Sequence, residues 1–289
     1  FTGYGFTNGF TNEAGITPGT ATTPNYIPAV TGNGNQYGLM SLFATANYGY
    51  DGKYFINLVG RRDGSSRFGL NNKWANFGSV GLVWLASEED FIKKLTFINN
   101  LKFRASYGST GNNGAALYPI PQFGRTAYAG AGAWSPNVPG NPLLSWEVNT
   151  TTNIGLDFAV LKNRLNGTIE WYNRNTSDQF YNLPVDPSAG GFTSIQSNFG
   201  TVRNRGVEIA LNGDVIRSSS VTWNLGANVS YNRNEITSLP QNDVINGVTI
   251  LSEGSPVNTL FLVPYAGVDP ATGNAQYRKL DGTITQSFN

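Results

Sequence analysis

Two side chains are missing from this 289-residue sequence altogether: it has no cysteine and no histidine. Without cysteine there is no disulfide framework and no thiolate metal site. Without histidine the commonest metal ligand and the usual general base are gone, and a Ser-His-Asp triad cannot be built. Charge is scarce as well. Charged residues make up 13% of the chain, with 19 Lys+Arg against 18 Asp+Glu and a formal charge of +1, so there is no basic footprint for a nucleic acid. No run of about 18 apolar residues occurs, which excludes a transmembrane helix. Phe1-Thr2-Gly3 lacks the basic start and apolar run of a secretory signal. An exported protein needs one, so the expectation is that the chain begins after a truncation.

What is present is aromatic and glycine-rich: 13% Phe, Trp and Tyr, and 35 Gly. A disordered chain has few aromatics and a high net charge, whereas a soluble domain carries about 25% charged residues. The deficit is resolved if one face of the protein meets lipid and the other is lined by Asn, Ser, Thr, Gly and Tyr.

From Leu39 the apolar pattern has a period of two. Met40, Leu42, Ala44, Ala46 and Tyr48 interleave with Ser41, Thr45 and Asn47, and Asp51-Gly52 then marks a hairpin turn. Leu101, Phe103, Ala105 and Tyr107 alternate with Lys102, Arg104 and Ser106. The longest example puts Val221, Trp223, Leu225, Ala227, Val229 and Tyr231 on one face and Thr222, Asn224, Gly226, Asn228, Ser230 and Asn232 on the other. A soluble β-sandwich binding or adhesion module alternates too. Three features favour a membrane barrel over it: runs of about ten residues, the length of a tilted membrane strand; aromatics near strand ends, as in interfacial girdles; and long loops (109–145 and 181–198 the longest) alternating with short turns. Residues 1–37 read as loop or strand end, and 38–289 as barrel. One short helix is expected from Ser87 as N-cap through Leu95, with Glu88, Glu89 and Asp90 a solvated helix start rather than a metal or glycosidic carboxylate cluster.

Several segments then carry a resemblance. They are Arg62-Asp63-Gly64-Ser65-Ser66-Arg67-Phe68-Gly69, Trp74-Ala75-Asn76-Phe77-Gly78-Ser79 and Leu101-Lys102-Phe103-Arg104-Ala105-Ser106-Tyr107-Gly108. Asn141-Pro142 with Leu144 and Trp146-Glu147, Gly155-Leu156-Asp157-Phe158, Asn204-Arg205-Gly206-Val207-Glu208, and Gly267-Val268-Asp269-Pro270 follow in order. Together they resemble the barrel of SusC/RagA-type TonB-dependent outer-membrane transporters over about residues 45–280.

The resemblance implies an all-β fold, an antiparallel transmembrane β-barrel of the 22-strand type with a plugged lumen. About nine or ten of its strands would lie here as a partial arc, with the plug domain and the barrel C-terminus absent. An open arc leaves unsatisfied backbone groups at its edges in hydrocarbon, so the sequence is expected to be part of a longer chain. The implied function is TonB-energised import of oligosaccharides or peptides across the outer membrane of a Gram-negative cell, with a SusD-like surface lipoprotein as lid. A passive or structural barrel subunit of an envelope complex stays open as an alternative. No enzyme activity, cofactor or metal is expected. The implied partners are outer-membrane lipid, the lipoprotein, TonB through the absent N-terminal region, and the substrate.

A sugar-binding surface needs aromatic faces beside hydrogen-bonding groups, because sugars present C–H patches and hydroxyls together. The two long loops offer Tyr118, Phe123, Tyr128, Trp134, Tyr181, Phe192 and Gln196 as contact residues, against a plainer role in loop packing. Asp269, Asn274 and Asp281 read as turn residues, not calcium ligands. Because an arginine facing lipid at mid-bilayer costs roughly 2–4 kcal/mol, Arg104, Arg164 and Arg174 are expected at the lumen or the interface. By the same parity Leu101, Phe103, Leu165, Ile169, Val221 and Leu225 face lipid.

Overall fold

The computed structural model describes residues 36–114, 121–129, 131–189, 191–240, 243–279 and 281–287. All but the last two residues of the 1–37 segment lie outside these. In chain order the strands are β1 (Leu39–Tyr50), β2 (Tyr54–Ser65), β3 (Trp74–Leu85), β4 (Ile98–Asn112), β5 (Gln122–Tyr128), β6 (Ala131–Val138), β7 (Glu147–Val160), β8 (Leu165–Ser177), β9 (Phe180–Pro184), β10 (Ser194–Asn198), β11 (Thr201–Arg217), β12 (Thr222–Ser238), β13 (Val244–Asn246), β14 (Thr249–Leu251), β15 (Thr259–Leu260), β16 (Tyr265–Val268), β17 (Ala275–Arg278) and β18 (Ile284–Thr285). A helix α1 of one turn spans Asp90–Lys93.

The wall is one antiparallel sheet in the order β1-β2-β3-β4-β7-β8-β11-β12. It has eight strands, not the nine or ten expected. The remaining strands pair locally, as the small sheets β13-β14-β15 and β16-β17-β18 and as the hairpins β5–β6 and β9–β10, which fall largely within the segments 109–145 and 181–198 read as loops. Among the described residues the sheet does not close.

At one end the strands are joined by the short turns Asp51–Lys53, Leu161–Arg164 and Ser218–Val221 and by the longer segment that holds α1. Asp51 and Gly52 both adopt positive φ (53° and 63°), the geometry of a tight hairpin turn whose twist matches the strands. Long connections leave the other end, and two of them carry the hairpins β5–β6 and β9–β10. Outer-membrane barrels keep short turns on the periplasmic side and longer loops outside, which sets the direction of every strand.

Residues facing one another across the ladder share a side of the sheet. One row reads Tyr54, Trp84, Phe103, Leu156, Ile169, Ile209, Val229. The adjacent row on the other side contains Arg104, Gly155, Glu170, Glu208 and Ser230. One side is therefore the lipid face and the other the lumen face. Leu101, Phe103, Leu165, Ile169 and Leu225 fall on the apolar side and Arg104 and Arg174 on the polar one, in keeping with the sequence parity. Arg164 sits at the short-turn end, donating to the carbonyls of Asp214 and Val215. The apolar row starts beside the β1–β2 turn but crosses β12 well above the Ser218–Val221 turn. This stagger is what tilts strands in a barrel. On β12 the apolar side runs from Trp223 to Tyr231, a tilted crossing of the expected length.

The helix start differs from the sequence expectation. A 3₁₀ turn covers Ala86–Glu88, and the residue capping α1 is Glu89, not Ser87. Nor is Glu89 merely solvated. It accepts hydrogen bonds from Tyr54 Oη at 2.6 Å, Trp84 Nε1 at 3.2 Å and Lys53 Nζ at 3.3 Å. Three donors at the strand ends draw the carboxylate away from solvent and fasten the α1 segment under the wall. These contacts, led by the Tyr54 hydroxyl, hold the Glu89 carboxyl below its ordinary range. Asp51 and then Glu89 raise Lys53 above its own.

Candidate functional site

At the long-loop end, three connections meet around one apolar cluster: Phe68, Phe77, Leu144 and Trp146, with Ala75, Val148 and Phe180 against it. The Trp146 ring lies 5.1 Å from Phe68 and 5.8 Å from Phe77, and Phe68 also stacks on Phe180 at 6.3 Å. Polar ties surround the rings. Trp146 Nε1 donates to Lys73 O at 3.1 Å, and Asn72 Nδ2 to Leu143 O at 2.9 Å. Asn141 Nδ2 donates to Gln196 O at 2.9 Å. Ser145 and Asn198 bond reciprocally, N to Oδ1 at 2.8 Å and Nδ2 to O at 2.9 Å. Arg67 reaches Asn113 O at 3.0 Å and lies 4.1 Å over the Tyr37 ring. The segments 66–73, 139–146 and 178–200 thus form one platform. These polar ties around an aromatic centre give it a fixed shape; Arg67 Nε alone among them is buried without an acceptor in the described residues.

Below the platform the lumen face is polar and paired. Arg104 donates to Asp157 through Nε and Nη2, both at 3.0 Å, and to Glu170 at 3.3 Å. Lys102 reaches Asp157 at 2.7 Å, Thr168 donates to it at 3.1 Å, and Asn153 donates to Glu170. Gly155 sits between Arg104 and Glu170 in the ladder, and a Cβ there would lie 2.8 Å from Arg104 Nη2. Its bare backbone is what lets the guanidinium cross β7 to reach β8. Nearer the platform, Arg61 joins Asp63 at 2.6 Å and Ser41 at 3.2 Å. A groove of about 490 Å³ opens there, lined by Asn57, Arg61, Asp63, Ser106, Thr110 and Asn149 among others. Hydroxyl, amide and ionic groups along one wall offer hydrogen bonds to a hydrophilic solute without any reacting group.

The contact residues read from the sequence divide between two hairpins. Phe123 and Trp134 share one face of β5–β6, since Trp134 pairs with Arg125, and Tyr128 takes the other. All three rings are open, at 59%, 66% and 79% exposure. Tyr118 lies outside the described residues. Tyr181 is on β9, its ring 5.5 Å from Phe199 and its hydroxyl 3.4 Å from Asn246 Nδ2. Phe192 is half-buried in the connection between β9 and β10. Gln196, on β10, enters the platform through its main-chain carbonyl. Asp269 and Asp281 are turn residues: Asp269 accepts from Ala271 N and Thr272 Oγ1, both 2.9 Å, and Asp281 from Thr283 N at 2.9 Å. No group of carboxylates able to hold a metal occurs among the described residues. The platform's own residues were not picked out as a site from sequence, although Phe68, Phe77, Leu144 and Trp146 all stand in the segments that carry the resemblance.

With the wall, its two faces and the loop platform in place, the comparison with known proteins is decisive. The model of the TonB-dependent receptor-like β-barrel family matches residues 1–285. The chain belongs to that family. TonB-dependent receptor P39 of Formosa agariphila is 39% identical over 239 residues, covering 80% of this chain and 22% of that protein. TonB-dependent receptor SusC of Bacteroides thetaiotaomicron is 34% identical over 221 residues, 71% of this chain and 21% of that protein. Among solved structures, the RagAB peptide transporter superposes with a TM-score of 0.80 at 33% identity, covering 88% of this chain and 29% of the matched chain. The chain thus spans between about a fifth and a third of these relatives. The sequence-level identification as a SusC/RagA-type outer-membrane barrel holds, and the family is one of transport proteins.

Proposed function

We propose that the protein containing this chain imports oligosaccharides or peptides across the outer membrane, driven by TonB, with a SusD-like lipoprotein seated over the long-loop end. The observation that carries this is the fixed three-loop platform, in a chain of which 88% superposes on the RagAB peptide transporter. Import of a large solute needs a rigid rim for a lid and a hydrophilic wall beneath it, and both are supported by the geometry. Within this chain, Phe123 and Trp134 on their shared face, with Tyr128, Tyr181, Phe192 and Gln196, are the surface assigned to substrate or lid contact; Tyr118 belongs to the same assignment. The wall residues hydrogen-bond and guide a solute, while force transmission lies elsewhere in the full protein.

The test is uptake of labelled maltooligosaccharides and labelled oligopeptides by cells expressing the full-length protein with its neighbouring lipoprotein. Uptake should cease when the proton-motive force is collapsed or TonB is deleted. Flux that persists under both conditions would mean a passive barrel. Replacing Phe123 and Trp134 together by Ala should weaken substrate or lipoprotein binding tenfold or more while the barrel still folds. Unchanged binding would remove these residues from the contact surface.

A further inference from the structure

We propose that the lipid-facing side of the wall carries a binding site for the phosphate-bearing headgroup of an outer-leaflet lipid, built by Arg203, Arg205 and Arg233. The ladder puts these three on the side occupied by Val207, Ile209, Val229 and Tyr231. Arg205 pairs with Arg233, and Arg203 with Glu235. They begin one step beyond Tyr231, on the long-loop side of the apolar band. Headgroups of the outer leaflet meet the wall at that level, and an arginine there escapes the cost it would incur at mid-bilayer.

The cluster is short of negative charge. Among the described residues Glu235 alone faces the three guanidinium groups, with Arg203 Nη2 at 3.1 Å, Arg233 Nε at 3.6 Å and Arg205 Nη2 at 4.0 Å. Like charges directly opposite one another across a ladder repel, and one carboxylate leaves a net charge of +2. Arg203 Nε is buried with no acceptor. The next strand contributes only Asn173 and Asn175 on this side, and β7 contributes Thr150 and Thr152. These are neutral groups able to bond a phosphate or sugar. Glu208 belongs to the lumen face and cannot serve.

A phosphate fits this fork, since guanidinium pairs bind tetrahedral oxyanions through two parallel bonds. What favours a lipid over a dissolved anion is the surface alongside. Trp171, Val207, Ile209, Val229 and Tyr231 continue from the arginines into the bilayer, so a ligand with a phosphorylated head and acyl chains is matched along its whole length. Arg62, 5.4 Å from the Trp74 ring, adds a further cation at the same border on β2.

The experiment places the full-length protein in phosphatidylcholine nanodiscs doped with lipid A, a phosphorylated acylated disaccharide, and measures retained lipid by native mass spectrometry. Wild-type protein should hold lipid A. The R205A/R233A variant should bind it roughly thirtyfold more weakly, each arginine near a charged headgroup being worth about a factor of five. Equal retention by the variant would overturn the proposal. So would equal binding of dephosphorylated lipid A to wild-type protein, a comparison that needs no mutation and is insensitive to folding defects. Displacement of lipid A by millimolar inorganic phosphate would identify a soluble-anion site instead and overturn the lipid assignment.

Discussion

Replacing Trp146 by Ala tests whether the three long connections behave as one unit. The side chain is 7% exposed and sits between Phe68 and Phe77, with its Nε1 bonded to Lys73 O. Truncating a buried tryptophan costs about 3–5 kcal/mol, most of it from the cavity, since Lys73 O keeps the bond from Ser65 N at 3.0 Å. The loss falls on the platform, because the wall strands keep their ladder. At about 1.4 kcal/mol per tenfold, local opening should become more frequent by roughly two to nearly four powers of ten. Hydrogen exchange followed by mass spectrometry on the full-length protein reads this directly. The informative amides are those of Asn72 (to Gly69 O), Leu144 (to Asn141 O) and Phe199 (to Gln179 O), one in each connection. All three should lose protection together, while amides of β7 and β8 below Thr152 keep theirs. Trp223→Ala, on the lipid-facing side, should leave the loops unchanged. If only peptides containing position 146 respond, or the change is under tenfold, the three segments are independent loops and the rigid-rim argument fails.

Four further outcomes follow from the geometry. Ile169→Arg, on the apolar face, should destabilise the full-length barrel in phospholipid vesicles by about 2–4 kcal/mol, whereas Ser230→Arg, on the lumen face beside Glu208, should be nearly neutral. Spin labels at 103 and 104 should report lipid and water respectively, and the reverse pattern would show the register to be misassigned. Arg104→Ala and Gly155→Val should each cost about 1–3 kcal/mol in chemical denaturation, since both remove the reach to Glu170. The double variant should cost little more than either alone, and simple additivity would sink that explanation. Finally, Glu89 has a folded-state pKa below its ordinary 4.5. Its stabilising contribution is therefore full above that value and lost as the pH falls through the depressed one. The difference in melting temperature between wild type and Glu89→Gln should be constant from pH 7 to 5 and shrink below about 4.5; a difference that grows on acidification contradicts the assignment.

Much of the wall was legible because a membrane imposes two solvents on one strand. Alternation at 40–48, 101–107 and 221–232 gave the correct face for Met40, Phe103, Arg104 and Leu225 without any long-range information. The strand count was overestimated because beyond β12 the chain forms only the short ladders β13-β14-β15 and β16-β17-β18, and a local ladder cannot be told from a wall strand by pattern. Ser87 read as a cap because capping is a local rule. The carboxylate two residues on answers instead to Tyr54 and Lys53, some 35 residues away. The platform was invisible for the same reason: Trp146 meets Lys73, and Asn72 meets Leu143, across more than 70 residues.

The segments that carried the family resemblance have a physical common denominator. Phe68, Phe77, Leu144 and Trp146 come from three of them and converge in one apolar centre. Arg104, Gly155 and Asp157 come from two others and converge on β7. Such residues are constrained in pairs and triples, because a change at one strands its partner: a carboxylate without its guanidinium, or a ring without its neighbour. The rings of Phe123, Tyr128 and Trp134 on β5–β6 are exposed, and the arginines beside Tyr231 share one carboxylate, Glu235. What the fold needs is therefore concentrated in the converging motifs. The side chains exposed at the rim, Phe123, Tyr128 and Trp134 on the β5–β6 hairpin, and the arginines Arg205 and Arg233 that share Glu235, are those placed to meet a solute, a lid or a lipid.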